Sequence, residues 1–350
     1  MKKNINWLPI PYDTSKRQAV LDLMALEEGH EADESEFIWW FERNPTKYIN
    51  IFLAEYAGQI IAVSSANTFK IWCNGDEHLV PFLQNILTHP GYRGLGIFSQ
   101  LEMKNEEDAK RQKCPFILGF PNRLITPIYL GKLDFSLGKV APLMIKMANP
   151  SRLLSKVSGV ESLKWVTKPI NGLARLTFHK SLPENIQPID GFDKTFDDLW
   201  EHVRKKRRWG LVRDSAYLNW RYIESPSARY RCFRIMDGAE LGGYLVVGVI
   251  QKKELTFGYI ADLFLRDESM HLESAALAAA DSLFASQDLD AILCFAPLKL
   301  SERLKRMGFF YLPTPKHFTF IYKIFDPRFI GLPFGKADQW QFELGDLDFF

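Results

Sequence analysis

The sequence predicts a mixed α/β protein in which one domain plan occurs twice. The chain has 350 residues, of which 47% are hydrophobic and 25% are charged, a composition typical of a globular protein with room for two domains. In each half, helix-forming segments come before strand-forming segments, and a series of landmarks recurs roughly 180 residues further along. We therefore expect two mixed sheets, each with its own helices.

The recurring landmarks begin at Trp40 and Trp220. Each tryptophan is followed, in the same order, by a proline, a tyrosine, a phenylalanine and a glycine: Pro45, Tyr48, Phe52 and Gly58 in the first half, and Pro226, Tyr230, Phe233 and Gly238 in the second. Further along, residues 117–121 match 292–296, and 133–135 match 307–309. A repeat of such long period indicates two copies of a domain and not a solenoid.

These landmarks divide the chain into a first domain over 1–147, a connector over 148–190 and a second domain over 191–350. Within the connector, leucine and valine recur at helical spacing, and basic residues outnumber acidic ones. The stretch 150–180 either packs its apolar face on one domain, which we favour, or contacts an anionic membrane surface peripherally.

Local patterns predict the elements of the first domain. The segment 16–42 has apolar residues at helical spacing, and strands rich in Ile, Val and Phe follow over 49–56 and 60–66. The dipeptide Asn-Gly at 74–75 is a hairpin turn signal, and it leads into the apolar strand 79–87.

The most informative motif joins this strand to a helix-like run over 97–112. Residues 88–98 read Thr-His-Pro-Gly-Tyr-Arg-Gly-Leu-Gly-Ile-Phe. Gly94 and Gly96 let the backbone approach an anion closely, and the first helical N–H groups point toward it. A strand, a glycine turn and a helix in this order indicate a phosphate site, although two glycines alone would equally serve to cap a helix.

The motif resembles the acetyl-coenzyme A pyrophosphate loop of the GNAT N-acetyltransferases. Residues 116–122 are similar to the next strand of that family, which ends in Asn122, and Tyr129 follows seven residues later, as in the family pattern. Two departures are visible: the family's Leu-Gly-Phe is Leu-Asp-Phe at 133–135, with one extra residue after Tyr129, and Gly91 stands where many members carry Arg or Gln.

The resemblance implies two tandem GNAT-like acyl-CoA N-acyltransferase domains of the mixed-sheet α/β class. It further implies an acetyl-coenzyme A-dependent N-acetyltransferase that acts on a primary amine of a small molecule or an amino sugar. Acetyl-coenzyme A would be the cosubstrate, with its pyrophosphate on the loop amides and its pantetheine arm along strand 79–87. The candidate binding residues are Leu87, His89, Tyr92, Arg93, Gly94, Leu95, Gly96, Ile97, Phe98 and Asn122.

Tyr129 is the catalytic residue that the resemblance implies. Its phenol, with an ordinary pKa near 10, would protonate the leaving thiolate; the alternative is a core aromatic. Asn122 either hydrogen-bonds the pantetheine or caps the following helix. Because no Asp or Glu lies between 77 and 102, the general base is unassigned. The carboxylates considered for it are Glu27, Glu28, Asp262, Asp346 and Asp348.

The second copy differs at the loop, where residues 264–270 contain no glycine. Asp267 and Glu268 would lie at the helix N-terminus and meet a pyrophosphate as like charges, which repel by about 4 kcal/mol at ~4 Å and an effective dielectric constant of 20. We therefore expect coenzyme A to bind the first domain only, and the degenerate second domain to frame the acceptor site or to stabilise the first.

The charge pattern of the sequence is compatible with more than one kind of binding partner. The net charge of +2 gives no general attraction to nucleic acid. The basic run at 204–208 is read as a solvated face, with a phosphate-bearing acceptor as the alternative. That run also keeps open a Fem-type aminoacyl transferase that uses aminoacyl-tRNA, against which the intact loop counts. The absence of a base on the loop strand would favour a non-catalytic acyl-coenzyme A sensor or scaffold.

Composition also predicts the compartment. The four cysteines have no metal-ligand spacing and the histidines are scattered, so we expect free thiols in a reducing cytoplasm and no metal site. There is no run of ~18 apolar residues that would span a membrane, and the polar start of the chain is unlike a signal peptide.

Overall fold

A computed structural model describes residues 5–139, 142–158, 181–227, 229–296, 298–311, 320–336 and 342–347. The chain forms two compact units. The first comprises Met1–Val140, Arg208–Val212 and Lys316–Lys336, and the second comprises Ala141–Arg207, Arg213–Pro315 and Ala337–Phe350. Most of the predicted amphipathic stretch, from 159 to 180, lies outside the described residues.

The described elements alternate between helices and strands as the sequence pattern indicates. In chain order the strands are β1 (Leu8–Pro11), β2 (Asn50–Tyr56), β3 (Gln59–Cys73), β4 (Asp76–Thr88), β5 (Phe116–Gly119), β6 (Ser136–Gly138), β7 (Leu143–Met147), β8 (Ile186–Ile189), β9 (Trp209–Leu211), β10 (Arg231–Asp237), β11 (Glu240–Lys252), β12 (Leu255–Leu265), β13 (Ala291–Phe295), β14 (Phe310–Tyr311) and β15 (Phe320–Ile324). The α-helices are α1 (Arg17–Glu28), α2 (Glu34–Phe37), α3 (Ile97–Arg111), α4 (Thr126–Gly131), α5 (Pro150–Ser158), α6 (Lys194–Arg204), α7 (Ser215–Leu218), α8 (Met270–Ala285) and α9 (Leu298–Arg306).

The sheet of the first unit has the order β1-β2-β3-β4-β5-β15-β6, and β9 pairs with one end of the long β3. The pairs β1–β2, β2–β3 and β3–β4 are antiparallel. The pair β4–β5 is parallel, and α3 joins its two strands. The predicted hairpin turn lies between β3 and β4, where Asn74 and Gly75 both have positive φ, 53° and 90°. This pair of left-handed residues matches the twist of the two strands.

The sheet of the second unit repeats this plan, with the order β14-β7-β13-β12-β11-β10-β8. Its strands β12 and β13 are parallel and are joined through α8, as β4 and β5 are through α3. The predicted fold class, mixed α/β with two mixed sheets, is confirmed.

Besides β9, which pairs with β3, each sheet contains a strand that lies between two neighbours distant from it in sequence. In the first sheet β15 lies between β5 and β6; in the second, β7 lies between β13 and β14. The predicted division places β7 in the first domain and β9 and β15 in the second, whereas β7 belongs to the second unit and β9 and β15 to the first. Strands that follow one another in the sequence usually pair, so this tendency does not predict the position of these strands.

The two landmark tryptophans have the same local structure. Trp40 lies in the π-helical turn Ile38–Glu42 that extends α2, and Trp220 lies in the turn Asn219–Ile223 that extends α7. An aspartate side chain caps the N-terminus of each of these short helices. In the first unit the Trp40 indole N–H donates a hydrogen bond of 2.5 Å to the side chain of Gln84 in β4, so the landmark also positions the strand.

Helix α3 covers one face of the first sheet. Its buried residues Ile97 and Leu101 pack against Ala54 of β2 and Ile61 of β3. Full burial of such a side chain contributes about 1.5–3 kcal/mol, so this contact fixes the start of α3 against the strands. The loop before α3 is thereby held at one end of β4.

Membrane-spanning and metal-binding features are both absent from the described part of the chain. Within it, no helix combines the length and the apolar character needed to cross a membrane. The same residues hold no group of three or more His, Cys, Asp or Glu side chains arranged to bind a metal ion. Cys73, Cys114, Cys232 and Cys294 are free and buried.

Candidate functional site

A cleft opens in the first unit where two parallel strands separate. Strands β4 and β5 pair only at Phe82 with Leu118 and at Leu83 with Gly119. Beyond this point β5 ends, while β4 continues to residue 88. The gap has a volume of about 190 Å³ and is lined by residues 83–86 and 119–122 together with Ile125, Tyr129 and Ile321. Strand β4 thus connects the groove, which it lines with residues 83–86, to the glycine loop that follows residue 88.

A β-bulge shapes one wall of this cleft. Between Val63 and Ser65 of β3 the pairing register shifts, so that Asn85 and Ile86 of β4 lie opposite a single residue. Asn85 has a φ of 46°, in the left-handed region. The Ser65 hydroxyl donates to the carbonyl oxygens of Gln84 and Asn85, at 2.7 and 3.2 Å. These bonds hold the bulge, which leaves backbone groups of β4 unpaired in the ladder where Asn85 and Ile86 line the cleft.

The loop that follows β4 has a fixed conformation. Residues Pro90–Tyr92 form a 3-10 turn, and the Nδ1 atom of His89 accepts a 3.1 Å hydrogen bond from the backbone N–H of Gly91. Gly94 and Gly96 have φ values of 78° and 80°. Both values lie in the region that glycine adopts without strain, so the loop needs these two residues.

Gly96 immediately precedes α3, and no side chain caps this end of the helix. The first turn of α3 also contains no acidic residue. Its backbone N–H groups and the positive end of the helix dipole therefore favour an anion at this position. At Gly94 an added Cβ would have no neighbour within 4 Å, which leaves room for a ligand against the backbone.

Most of the predicted binding side chains around the loop contact the protein core. Tyr92 and Leu95 pack against the core beneath α3, and Phe98 packs against the cluster around Tyr129. Ile97 is buried. These predicted binding residues thus have structural contacts of their own, which leaves the backbone of the loop as the part suited to a ligand.

Arg93 is the cation of the loop. Its side chain is half-exposed, its Nε donates a 3.0 Å hydrogen bond to the carbonyl oxygen of Thr88, and its guanidinium pairs with Glu27 of α1. The positive charge of Arg93, one of the candidate binding residues, therefore lies at the loop. Glu27, considered above as a base, is engaged in this ion pair.

Asn122 lies at the cleft and shapes the turn before α4. Its side-chain oxygen accepts hydrogen bonds from the N–H groups of Leu124 and Ile125, at 2.9 and 3.2 Å. This is an Asx turn before α4; the N-cap residue of that helix is Ile125, and no side chain caps it. Leu87, at the end of β4, pairs with Val63 beyond the bulge.

Tyr129 lines the cleft from α4 and is 1% exposed. Its hydroxyl donates a 2.9 Å hydrogen bond to Oε2 of Glu102, and its ring meets those of Phe98 and Phe135 edge-on at 5.5 and 5.0 Å. Burial, and then the neighbouring Glu102, raise the pKa of Tyr129 well above its usual range. The phenol therefore stays protonated at neutral pH and faces a carboxyl group.

Glu102 is the site residue that the sequence analysis missed. It is 1% exposed, and it accepts hydrogen bonds from the hydroxyls of Ser64 and Tyr129. Burial raises the pKa of Glu102 to about 7. A sequence signal existed: residues 98, 102, 105 and 109 form one helical stripe, and an acidic residue within such a buried stripe is uncommon unless paired.

Two other carboxylates considered as bases lie in the second unit, in a buried cluster around Arg213. The Arg213 guanidinium is 3.1 Å from Asp262 and 2.8 Å from Asp346. The hydroxyls of Tyr222 and Tyr217 donate to these two carboxylates, at 2.9 and 2.8 Å. Both groups are therefore engaged in holding the residues 342–347 on β12. The Glu28 side chain and Asp348 lie outside the described part of the chain.

The second unit has a different connection before its helix α8. Ser269 is the N-cap residue, and its hydroxyl accepts from the N–H of Leu272 at 3.4 Å. Asp267, expected near the helix N-terminus, forms an ion pair with Lys206, and this contact holds its pKa below the usual range. The helix end that would bind an anion in the second unit is thus capped by a serine.

The basic run at 204–208 makes contacts within the chain. Arg204 is 2.6 Å from Glu201, Lys206 pairs with Asp267, and the Arg207 guanidinium lies over the Phe264 ring at 4.6 Å. These contacts favour the solvated face among the interpretations of this run.

The first unit is an α/β domain that can hold an extended, anionic ligand. Three features suit it to such a ligand: the separated parallel strands, the bulge, and the glycine loop at a helix N-terminus. Comparison with known families identifies it: residues 11–138 match the acetyltransferase (GNAT) domain. The chain therefore contains a GNAT acetyltransferase domain, which lies within the first unit.

Solved structures agree with this assignment at the level of the fold. The chain is similar to a GCN5-related N-acetyltransferase from Kribbella flavida, with a TM-score of 0.62, 13% identity and coverage of 92% of this chain and 72% of the other. For a GCN5-related N-acetyltransferase from Anabaena variabilis the TM-score is 0.61 at 12% identity, with coverage of 91% and 73%. No curated protein matches the sequence.

A third similar structure is Saccharomyces cerevisiae N-myristoyltransferase with bound myristoyl-CoA. Its TM-score is 0.59 at 10% identity, and the match covers 92% of this chain and 82% of that one. All three matches cover nine-tenths or more of this chain, so the similarity of fold includes both units.

Proposed function

We propose that this protein is an acetyl-coenzyme A-dependent N-acetyltransferase that acts on a primary amine of a small molecule or an amino sugar. One observation carries the proposal: strand β4, which walls the cleft with residues 83–86, leads into the loop with Gly94 and Gly96 in the left-handed region and the uncapped N-terminus of α3. An anionic group on the loop would thus be continuous with an extended arm in the cleft.

The residues present suit each part of acetyl-coenzyme A. The loop amides from Tyr92 to Ile97, with Arg93 beside them, would hold the pyrophosphate. The cleft, walled by the bulged part of β4 and by residues 119–122, would hold the pantetheine arm. Backbone groups at Asn85 and Ile86 would polarise the thioester carbonyl, which gains negative charge during attack by the amine.

The leaving thiolate requires a proton, and Tyr129 is the group that we assign to it. Its phenol lines the cleft, and its raised pKa keeps it protonated. Attack by a neutral amine breaks the carbon–sulfur bond, and the phenolic proton then neutralises the sulfur. The amine gives up its proton to water, since Glu27, Asp262 and Asp346 are all paired.

Acetyl is the acyl group that the matched domain's description favours. The N-myristoyltransferase among the similar structures has myristoyl-CoA bound, so the fold is compatible with a long acyl chain. A panel of acyl-coenzyme A thioesters from acetyl to myristoyl therefore belongs in the first turnover assay, and faster turnover of the long chains would contradict the proposed specificity.

The proposed partners are acetyl-coenzyme A and a small amine, without nucleic acid. The buried, free cysteines support a reducing, cytoplasmic location. Peripheral membrane contact through 150–180 stays a prediction.

The loop assignment is tested by adding bulk and charge where the phosphate would lie. Gly94→Glu and Gly96→Glu should abolish acetyl-coenzyme A binding, measured by titration calorimetry on folded protein. Gly58→Glu is the matched control, because Gly58 also has a positive φ of 77° and an open Cβ position but lies in the turn between β2 and β3.

The parent protein should bind one acetyl-coenzyme A per chain, and the control should bind it equally. Unchanged affinity in the two loop variants would remove the loop from the site. A stoichiometry of two would show that the second unit also binds the thioester.

A further inference from the structure

We propose that Glu102 is a positioning residue for Tyr129, which determines where the phenolic proton points and resupplies that proton after transfer. This inference rests on the proposed role of Tyr129 as general acid. It assigns a function to a buried carboxyl group that does not itself touch the substrate.

The geometry places the two groups in series. Tyr129 lines the cleft, and its hydroxyl is 2.9 Å from Oε2 of Glu102, which is buried beneath it. The other carboxylate oxygen of Glu102 accepts from the Ser64 hydroxyl, and the Asn105 amide donates to Ser64. Ser64 lies in β3 opposite the bulge of β4, so the chain of hydrogen bonds runs directly behind the proposed thioester position.

The protonation state of Glu102 decides what Tyr129 can do. An ionised carboxylate only accepts hydrogen bonds, so it holds the phenolic proton on the side away from the cleft. A protonated carboxyl can donate to the phenolic oxygen, and the phenolic O–H then turns toward the cleft. Only this second arrangement presents a proton to the sulfur.

The proton transfer balances without a further reactant. The sulfur takes the phenolic proton as the thiol S–H bond forms, and the phenolic oxygen takes the carboxyl proton from Glu102. Glu102 is left as a carboxylate, and it regains a proton from the water that received the proton of the amine. The net result is one proton moved from nitrogen to sulfur.

The surroundings of Glu102 make both states accessible near neutral pH. Burial raises its pKa to about 7, and Glu106, one turn along α3, adds to the rise. Lys323 of β15 donates a 2.8 Å hydrogen bond to Glu106 and thereby offsets part of that charge. From β3 and α4, the groups that face Glu102 are the hydroxyls of Ser64 and Tyr129.

The experiment compares the full-length parent with Glu102→Gln, Tyr129→Phe and the control Glu107→Gln, an exposed glutamate on the same helix. The rate is measured from pH 6 to pH 8.5 with acetyl-coenzyme A and an arylamine, which stays neutral throughout. Thioester hydrolysis is the alternative if no arylamine is accepted. Thermal melts confirm that each variant is folded.

For the parent and the control, we expect kcat to fall above about pH 7, as Glu102 ionises. Glu102→Gln should lose this fall, because an amide does not titrate, and its kcat at pH 6 should be lower by roughly tenfold, because an amide cannot resupply the proton. The KM for acetyl-coenzyme A should change less than twofold. Tyr129→Phe should lower kcat by roughly 10²-fold at pH 6, and by less above about pH 7, where the ionised Glu102 already limits the acid in the parent.

The outcomes separate the two proposals. A Glu102→Gln variant with the parent's pH profile would overturn the role of Glu102 and leave Tyr129 as the acid. A Tyr129→Phe variant as fast as the parent would overturn the acid itself. If Glu102→Gln does not fold, Glu102→Asp replaces it: the shorter carboxyl should retain a fall in kcat with pH, and a flat profile for that variant would overturn the inference.

Discussion

At the scale of single residues, Glu102 is unusual because its burial opposes its charge. A carboxylate transferred from water to an apolar interior loses solvation, and two neutral hydroxyl donors compensate only in part. The rise of its pKa to about 7 expresses this loss. The folded protein therefore binds the Glu102 proton more tightly than the unfolded chain does.

This linkage predicts a pH-dependent stability. An unfolded glutamate has a pKa near 4.3, so from about pH 4.3 to pH 7 the folded state holds more protons, and the free energy of unfolding falls as pH rises. The Glu102→Gln variant lacks the free-energy cost of burying an ionised carboxylate. It should be more stable than the parent at pH 8, by on the order of 3 kcal/mol, and should have no such advantage at pH 4.5.

Denaturant melts of the parent, Glu102→Gln and Glu107→Gln at both pH values measure this difference. The same Glu102→Gln effect at both pH values would contradict the linkage.

Sequence reasoning succeeded at residues whose backbone conformation is unusual. The need for glycine at 94 and 96 follows from the loop motif alone, and both residues have left-handed φ values. It could not give the direction of the Tyr129 hydroxyl, because the partner Glu102 is 27 residues away in the chain. A hydrogen bond between side chains of distant elements leaves no local pattern.

At the scale of elements, the bulge in β4 connects fold and site. At the bulge, one residue of β3 faces two residues of β4. Asn85 accommodates the extra residue by adopting a left-handed conformation, with a φ of 46°. Asn tolerates this region better than other residues with a Cβ. The apolar pattern of strand 79–87 predicted the strand, but an alternation pattern does not locate an inserted residue.

A matched pair of substitutions tests whether this strain positions the site. Asn85→Gly should preserve the bulge and the stability, because glycine adopts a positive φ freely. Asn85→Val should lower the free energy of unfolding by about 1–2 kcal/mol, the cost of a left-handed conformation for a branched side chain, or should flatten the bulge and weaken acetyl-coenzyme A binding. Thermal melts of both variants measure the change in stability, and calorimetry measures the change in acetyl-coenzyme A affinity. Equal stability and affinity in the two would show that the bulge does not depend on residue 85.

At the scale of the whole molecule, the sequence predicted two mixed sheets, and the structure has both. The sequence did not predict the positions of β7, β9 and β15, because each pairs with a strand far away in sequence. Neither 143–147 nor 320–324 is predicted as a strand from the sequence, and the choice of partner for such a strand depends on which sheet has a free position. In the first unit that position is beside β5, and β15 fills it with Ile321 opposite Gly119.

The first domain as predicted from the sequence, residues 1–147, should therefore not fold alone. Without β15 the fragment loses Phe320 and Ile321, both fully buried, and the cleft loses one of its walls. It would also expose Met144 and Ile145 of β7, which are buried in the second unit. Removal of one large buried side chain costs about 2–5 kcal/mol, comparable to the 5–15 kcal/mol that stabilises a whole domain.

The decisive comparison is with a chain in which residues 5–139 are joined through a flexible linker to 316–336. This linked chain lacks β7 and retains β15, so it should show a cooperative thermal transition and should bind acetyl-coenzyme A with a stoichiometry of one. The 1–147 fragment should show no cooperative transition and should aggregate through its unpaired strand. Because the two proteins share the loop, the bulge and Tyr129, a difference between them would come from the distant strand and from the exposed β7. A cooperative transition in the 1–147 fragment would show that the first sheet closes without β15.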